Sequence, residues 1–134
     1  MIADSDSSVR QQLYAALLAV DVFSDVVADV PDALAKLAGE SYGVVLIDIA
    51  LPGGDAEHVL ERIARLPVPE RPVVLVVAVN PSAARSLDVE VVQIVLRKPL
   101  ALRQTVDVIR SCVENTVTRI GLAKSDGDGD QLRS

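Results

Sequence analysis

The sequence predicts an α/β fold: a five-stranded parallel sheet with helices on both faces. Three observations predict it. Short runs of Val, Ile and Leu alternate with stretches of helical periodicity along most of the chain. Two of those runs, "YGVVLIDI" and "VVLVVAV", hold nearly unbroken aliphatics, the pattern of strands buried on both faces. Finally, 134 residues that are 50% apolar, with no Trp and 2% aromatics, suit one domain with a layered aliphatic core.

Each element follows from local chemistry. "MIA" opens as a short first strand. Asp6 or Ser7 can cap the next helix, whose buried stripe is Val9, Leu13, Ala16, Leu17 and Val20. "DVVADV" reads as the second strand. Pro31 suits the first turn of a helix carrying Leu34, Leu37 and Ala38, with Gly39 near its end. "YGVVLIDI" is the third strand, and Asp55 caps a helix with Val59, Leu60 and Ile63 on one face. "PVPERP" is a loop before the fourth strand, "VVLVVAV". A short helix is expected around "NPSAARSL", then "VVQIVL" as the fifth strand. The last helix, "LRQTVDVIRSCVENTV", carries Leu102, Val106, Ile109 and Val113.

Composition excludes several function classes. A net charge of −6 and few aromatics argue against direct nucleic-acid binding by this segment, though not against a DNA-binding partner or output domain. Cys112 is the sole cysteine, so no intrachain disulfide and no cysteine-based zinc site is available. Asp4 and Asp6 interrupt any signal-peptide run, and the longest apolar stretch, Val73 to Val79, is too short to span a bilayer. The expected location is the cytoplasm, with no membrane contact. No internal repeat is present.

The chemistry gathers at one edge. In a parallel sheet of this kind ligands collect beyond the C-terminal ends of the strands. Asp4, Asp48 and Lys98 stand at or just past three such ends. Asp48 closes an apolar strand, and a carboxylate taken into apolar surroundings is costly unless a cation or donor compensates it. Lys98 is the candidate cation.

Those residues lie in three segments, "ADSDSSVR", "LIDIALPGGDA" and "LRKPL", which together resemble response-regulator receiver domains over residues 1–117. The resemblance implies a flavodoxin-like (βα)5 receiver fold and a place in two-component phosphorelay signalling. It implies Asp48 as the phosphoacceptor and Lys98 as its ion-pair and phosphoryl contact, any activity being limited to self-phosphorylation and dephosphorylation. It also implies Mg²⁺ held by Asp4, Asp48 and the backbone carbonyl of Ala50, with a weak contribution from Ser5 or Asp6. The implied partners are a histidine kinase or phosphotransfer protein, a downstream protein or output domain, and a second copy in a homodimer. Pro99 matches the proline that follows the lysine, commonly through a cis peptide.

The chain also departs from that pattern. Ser5 stands where a second metal-binding acid is usual, which weakens Mg²⁺ binding; Asp6 either compensates or caps the helix. Val77 occupies the Thr/Ser switch position and Val95 the switch aromatic. Ala56 replaces a glycine, and the fourth helix is short. Two readings stay open: a receiver phosphorylated at Asp48, or a degenerate receiver serving as a phosphorylation-independent interaction module. A small-molecule or flavin binder on the same fold is a third, weakened by the missing phosphate loop.

The remaining residues have plainer roles. His58 is expected on an exposed helix face, Cys112 in the core, Tyr14 and Tyr42 as packing residues with polar tips, and Arg97 on the surface. Residues 118–134 are expected as a flexible tail or linker. Asp126, Asp128 and Asp130 alternate like the start of a calcium loop but lack its distal glutamate.

Overall fold

The computed structural model describes residues 1–127, with side chains through Asn115. Its elements run β1 (Ile2–Ala3), α1 (Ser7–Leu18), β2 (Val26–Val27), α2 (Val30–Gly39), β3 (Val44–Asp48), α3 (Ala56–Ala64), β4 (Val73–Ala78), β5 (Val92–Arg97) and α4 (Leu102–Gly127). The five strands form one parallel sheet in the order β2-β1-β3-β4-β5.

Strand alternation divides the core into two layers. Ala3, Val45, Ile47, Val74 and Val76 pack with Ala33 and Leu37 of α2 and Val59 and Ile63 of α3. Ile2, Val44, Leu46, Leu75 and Val77 pack with Leu13 and Leu17 of α1 and Val106 and Ile109 of α4. Continuing the period of two from Ile2, Leu46 and Leu96 brings Asp4, Asp48 and Lys98 to the second layer, just where its hydrocarbon ends.

Helix starts follow their caps. Asp6 accepts from the N–H groups of Ser8 and Val9, Asp29 from Asp32, and Asp55 from Glu57. β2 is shorter than the "DVVADV" run because Asp29 leaves the strand to cap α2. Tyr42 donates to Asp25 at 2.6 Å; burial, that bond and the charges of Asp25 and Glu40 push its phenol above the usual tyrosine range. Tyr14, expected to pack, is 41% exposed, and Leu102 and Ala38 also turn outward from their expected stripes.

Three findings differ further from expectation. The helix expected after Asn80 is only a 3-10 turn, Pro81–Ala84. Asn80 Oδ1 accepts from both the N–H and the hydroxyl of Ser82, while buried Ala84, Leu87 and Val91 plug the core as a helix face would. A bulge separates the two halves of the β4–β5 ladder: Val74 pairs with Val92 but Leu75 with Ile94. Gln93, the extra residue, turns its side-chain oxygen to the Val74 N–H at 2.7 Å. At the C-terminus, α4 runs past residue 117 to Gly127. Thus residues 118–127 of the expected tail are helical, since no proline breaks the run and it includes good helix formers such as Leu122, Ala123 and Lys124. Asp128 and Asp130 of the calcium-like pattern, with the rest of 128–134, lie outside the described residues.

Candidate functional site

Strand β3 ends in a tight hand-over. The Ile49 N–H donates to Val77 O at 2.9 Å, extending the β3–β4 ladder by one bond. The chain then turns on Asp48: the Leu51 N–H donates to its carbonyl at 3.0 Å and the Ala50 N–H to its Oδ1 at 2.8 Å. Leu51 is buried beneath the loop. One oxygen of Asp48 is therefore oriented by its own backbone, and the other is free to meet a side chain.

Lys98 meets it. Its backbone N–H donates to Ala78 O at 2.9 Å, which continues β5 and aims the side chain across the sheet edge. Its Nζ donates to Asp48 Oδ2 at 2.5 Å and stands 3.0 Å from Asp4 Oδ2. The peptide between Lys98 and Pro99 is cis. Burial alone would lower the ammonium's pKa; the contacts with Asp48 and Asp4 outweigh it and hold Lys98 above the usual lysine value. Asp4 and Asp48 are only 1% and 6% exposed, so this cation compensates both carboxylates.

The acidic opening is organised around Asp4. Its Oδ1 accepts the Asp6 N–H at 2.9 Å. Its Oδ2 is buried and, although close to Lys98, lies outside hydrogen-bonding geometry and has no hydrogen-bond partner. Of the two residues weighed beside it, Asp6 has Oδ1 engaged in the cap of α1, and Ser5 is exposed. Arg10 enters the sequence motif only as its last letter, yet its Nη1 donates to the Asp4 carbonyl at 2.8 Å and ties that loop to α1.

The donor set fits magnesium. Mg²⁺ takes oxygen ligands, keeps several waters and commonly uses one or two carboxylates. The partnerless Asp4 oxygen, the Asp48 carboxylate and the Ala50 carbonyl are donors of that kind. Among the described residues no group of three or more His, Cys, Asp or Glu is placed to hold a metal. Two carboxylates against one ammonium leave a single net negative charge.

Val77 and Val95, the expected switch positions, lie apart. Val77 is 0% exposed and pairs with Asp48 across the ladder, so its methyls face the layer that ends at the carboxylate. Val95 is 40% exposed on β5. His58 and Arg97 are exposed, and Cys112 packs half-buried against the second layer. Among the described residues no helix is long and apolar enough to cross a membrane.

Comparison with known proteins bears on the family and the fold. The family model for the response regulator receiver domain matches residues 1–110. No individually curated protein matches the chain. Among solved structures, a CheY-like receiver domain from Methanospirillum hungatei superposes with a TM-score of 0.76 at 20% identity, covering 88% of this chain and 94% of that one. A CheY-like receiver domain from Methylobacillus flagellatus gives 0.69 at 20% identity over 83% and 94%. The response regulator TrrA from Thermotoga maritima, in complex with Mg²⁺ and BeF, gives 0.71 at 16% identity over 83% and 95%.

Proposed function

The chain belongs to the response regulator receiver domain family, and from that premise we propose that Asp48 accepts a phosphoryl group from a histidine kinase or phosphotransfer protein. The observation that carries the reading is the Asp48 carboxylate itself: buried, with Oδ1 held by the Ala50 N–H and Oδ2 by Lys98, beside a second buried acid.

The chemistry is a phosphoryl transfer to a carboxylate nucleophile. A carboxylate oxygen of Asp48 attacks phosphorus, the new P–O bond forms, and the P–N bond to the donor imidazole breaks, leaving an acyl phosphate and an imidazole that takes up a proton. Positioning and charge neutralisation supply most of the catalysis in such transfers. The Ala50 N–H fixes the carboxylate. Lys98, ionised throughout the physiological range, exchanges Asp48 Oδ2 for an oxygen of the incoming group. Magnesium, when bound by Asp4, Asp48 and the Ala50 carbonyl, would neutralise further charge on the transferred group.

A groove beside Lys98, lined in part by Val9, Gln12, Leu13, Val79, Leu100 and Leu102, gives a donor domain an apolar seat next to the acceptor. The signal then passes through protein–protein contacts to a downstream protein or output domain. Val77 supplies no hydrogen bond to a phosphoryl oxygen, so the switch differs from one that works through a threonine.

Amide NMR with Mg²⁺, followed by beryllofluoride as a phosphoryl surrogate, tests the reading, with Asp48→Ala as control. The expected result is a set of shifts centred on Asp48, Ala50 and Lys98 that the control abolishes. Spectra unchanged by the reagent at every concentration would overturn acceptance at Asp48.

A further inference from the structure

We propose that Gly53 and the backbone amide of Val30 are positioning residues for Asp48, together locking the loop that follows the acceptor onto the first turn of α2. The inference rests on the reading of Asp48 as the phosphoryl acceptor, and neither residue touches the reacting atoms.

A helix begins with N–H groups that have no partner inside it. In α2 these are accounted for one by one. Pro31 has no N–H, Asp32 donates to Asp29 Oδ1 at 2.9 Å, and Ala33 to the Asp29 carbonyl at 3.1 Å. The remaining donor, Val30 N–H, goes to the carbonyl of Pro52 at 2.8 Å. The helix thus takes one of its caps from the acceptor loop, four residues beyond Asp48.

Gly53 makes that approach possible. Its φ is +87°, a conformation that side chains other than hydrogen disfavour. A Cβ built there would meet Pro31 Cδ at 2.8 Å and Asp29 Cβ at 3.3 Å. Any side chain pushes the loop off the start of α2 and pulls the Pro52 carbonyl away from Val30. The neighbouring Gly54, with φ +143°, also disfavours a side chain, but a Cβ there would meet only ordinary contact with Val30 at 3.6 Å, so the close approach to α2 is made at Gly53.

The other end of the same loop is the acceptor. The Ala50 N–H orients Asp48 Oδ1, the Leu51 N–H closes the turn on the Asp48 carbonyl, and Leu51 is buried. Between Val30 and the Asp48 carboxylate there are therefore four hydrogen-bonded or packed steps and no slack segment. A shift at Gly53 reaches the amide that aims the nucleophile and the Ala50 carbonyl, one of the oxygens suited to the metal.

The test uses the full chain and four variants: Gly53→Ala, Pro31→Ala, the two combined, and Gly39→Ala, whose added Cβ would meet nothing within 4 Å. Three quantities are measured: amide shifts and hydrogen exchange at Ala50 and Val30, the rate of Asp48 labelling by acetyl phosphate with Mg²⁺, and the unfolding midpoint. Gly53→Ala should move the Ala50 signal and speed exchange at Val30. It should slow labelling about tenfold or more, since an ångström of misplacement can cost on the order of 10²-fold. Removing Pro31 Cδ should restore part of that rate, and Gly39→Ala should change none of it. If Gly53→Ala does not fold, the double variant, relieved of the 2.8 Å contact with Pro31 Cδ though still carrying the positive φ, is read against Pro31→Ala alone, and equal amide positions and labelling rates in those two would overturn the positioning role. A lower midpoint with unmoved amides and a wild-type labelling rate would overturn the positioning role and leave the acceptor reading intact. A wild type that takes no phosphoryl group, with the amide changes present, would overturn the acceptor reading and support the positioning of the carboxylate.

Discussion

Replacing Lys98 by methionine removes the one cation between two buried carboxylates while keeping much of the side chain's volume. Its Nζ lies 2.5 Å from Asp48 and 3.0 Å from Asp4. At an effective dielectric of about 20, opposite charges at such distances attract by roughly 5–7 kcal/mol each before any desolvation is counted. Burying the groups offsets most of that gain, yet breaking a buried pair typically costs about 3–5 kcal/mol because a charge is left uncompensated. Water reaches 22% of the Lys98 side chain, so screening places the net loss at the lower end, about 3 kcal/mol, or a fall of roughly 10 °C in Tm. The pH dependence has a definite sign. Contacts with the carboxylates raise the Lys98 pKa in the fold above the 10.5 of an unperturbed lysine. Its stabilisation is therefore complete below that value and is lost only as pH rises through the folded-state pKa. Urea unfolding of wild type and Lys98→Met should thus show a constant gap from pH 7 to about pH 10 that closes above 10.5. Adding Asp4→Asn to the variant should recover part of the loss, which a double-mutant cycle reads directly. Equal stabilities at pH 7 would refute the claim that this lysine compensates the pocket.

Three further outcomes are expected. Gln93→Leu leaves the buried Val74 N–H without an acceptor and should cost about 1–3 kcal/mol in urea unfolding, whereas Gln93→Glu, which keeps the acceptor oxygen, should cost less. Val77→Thr places a hydroxyl in a fully buried position opposite Asp48. It should lower resting stability by about 1–2 kcal/mol and extend beryllofluoride-induced amide shifts into residues 79–84; shifts confined as in wild type would show that a hydroxyl there restores nothing. Ser5→Asp adds a carboxylate beside Asp4 and should raise Mg²⁺ affinity several-fold in an amide-shift titration, and an unchanged affinity would place the metal away from the opening of β1.

Much of this architecture is legible in the residues because its causes are local. The aliphatic runs of β3 and β4 can only be strands covered on both faces, and the period of two carries Asp48 and Lys98 to the same side of the sheet. Asp55 and Pro31 mark helix starts through their own side chains, whereas Asp29, read within the "DVVADV" strand, caps α2 instead. What stays hidden depends on contacts between distant segments. "VVQIVL" reads as an ordinary strand, and its single polar letter gives no sign that Gln93 is the bulged residue that satisfies Val74. Asp6 fits either a metal or a cap on sequence grounds, and only the fold shows that its Oδ1 takes the Ser8 and Val9 amides. The "GG" after Pro52 announces a turn, but not that one of the two glycines faces Pro31, more than twenty positions earlier.

A valine at position 77 limits how the proposed acceptor can signal. A ligand shifts a conformational equilibrium only through contacts that differ between the two states. A hydroxyl at position 77 would supply such a contact near the 3-10 turn Pro81–Ala84; the buried methyls of Val77 supply none. Under the proposed transfer, the groups still able to bond differently before and after it are Lys98, which would leave Asp48 Oδ2, and the Ala50 N–H, which holds Oδ1. Lys98 leads through Leu100 to the start of α4, and Ala50 leads through Pro52 to Val30 and the start of α2. Occupancy by a phosphoryl surrogate should therefore perturb the amides of Val30 and Leu100 more than those of Ala84 and Leu87. The reverse ranking would mean that the segment after β4 senses the acceptor by some contact other than a side-chain hydroxyl on β4.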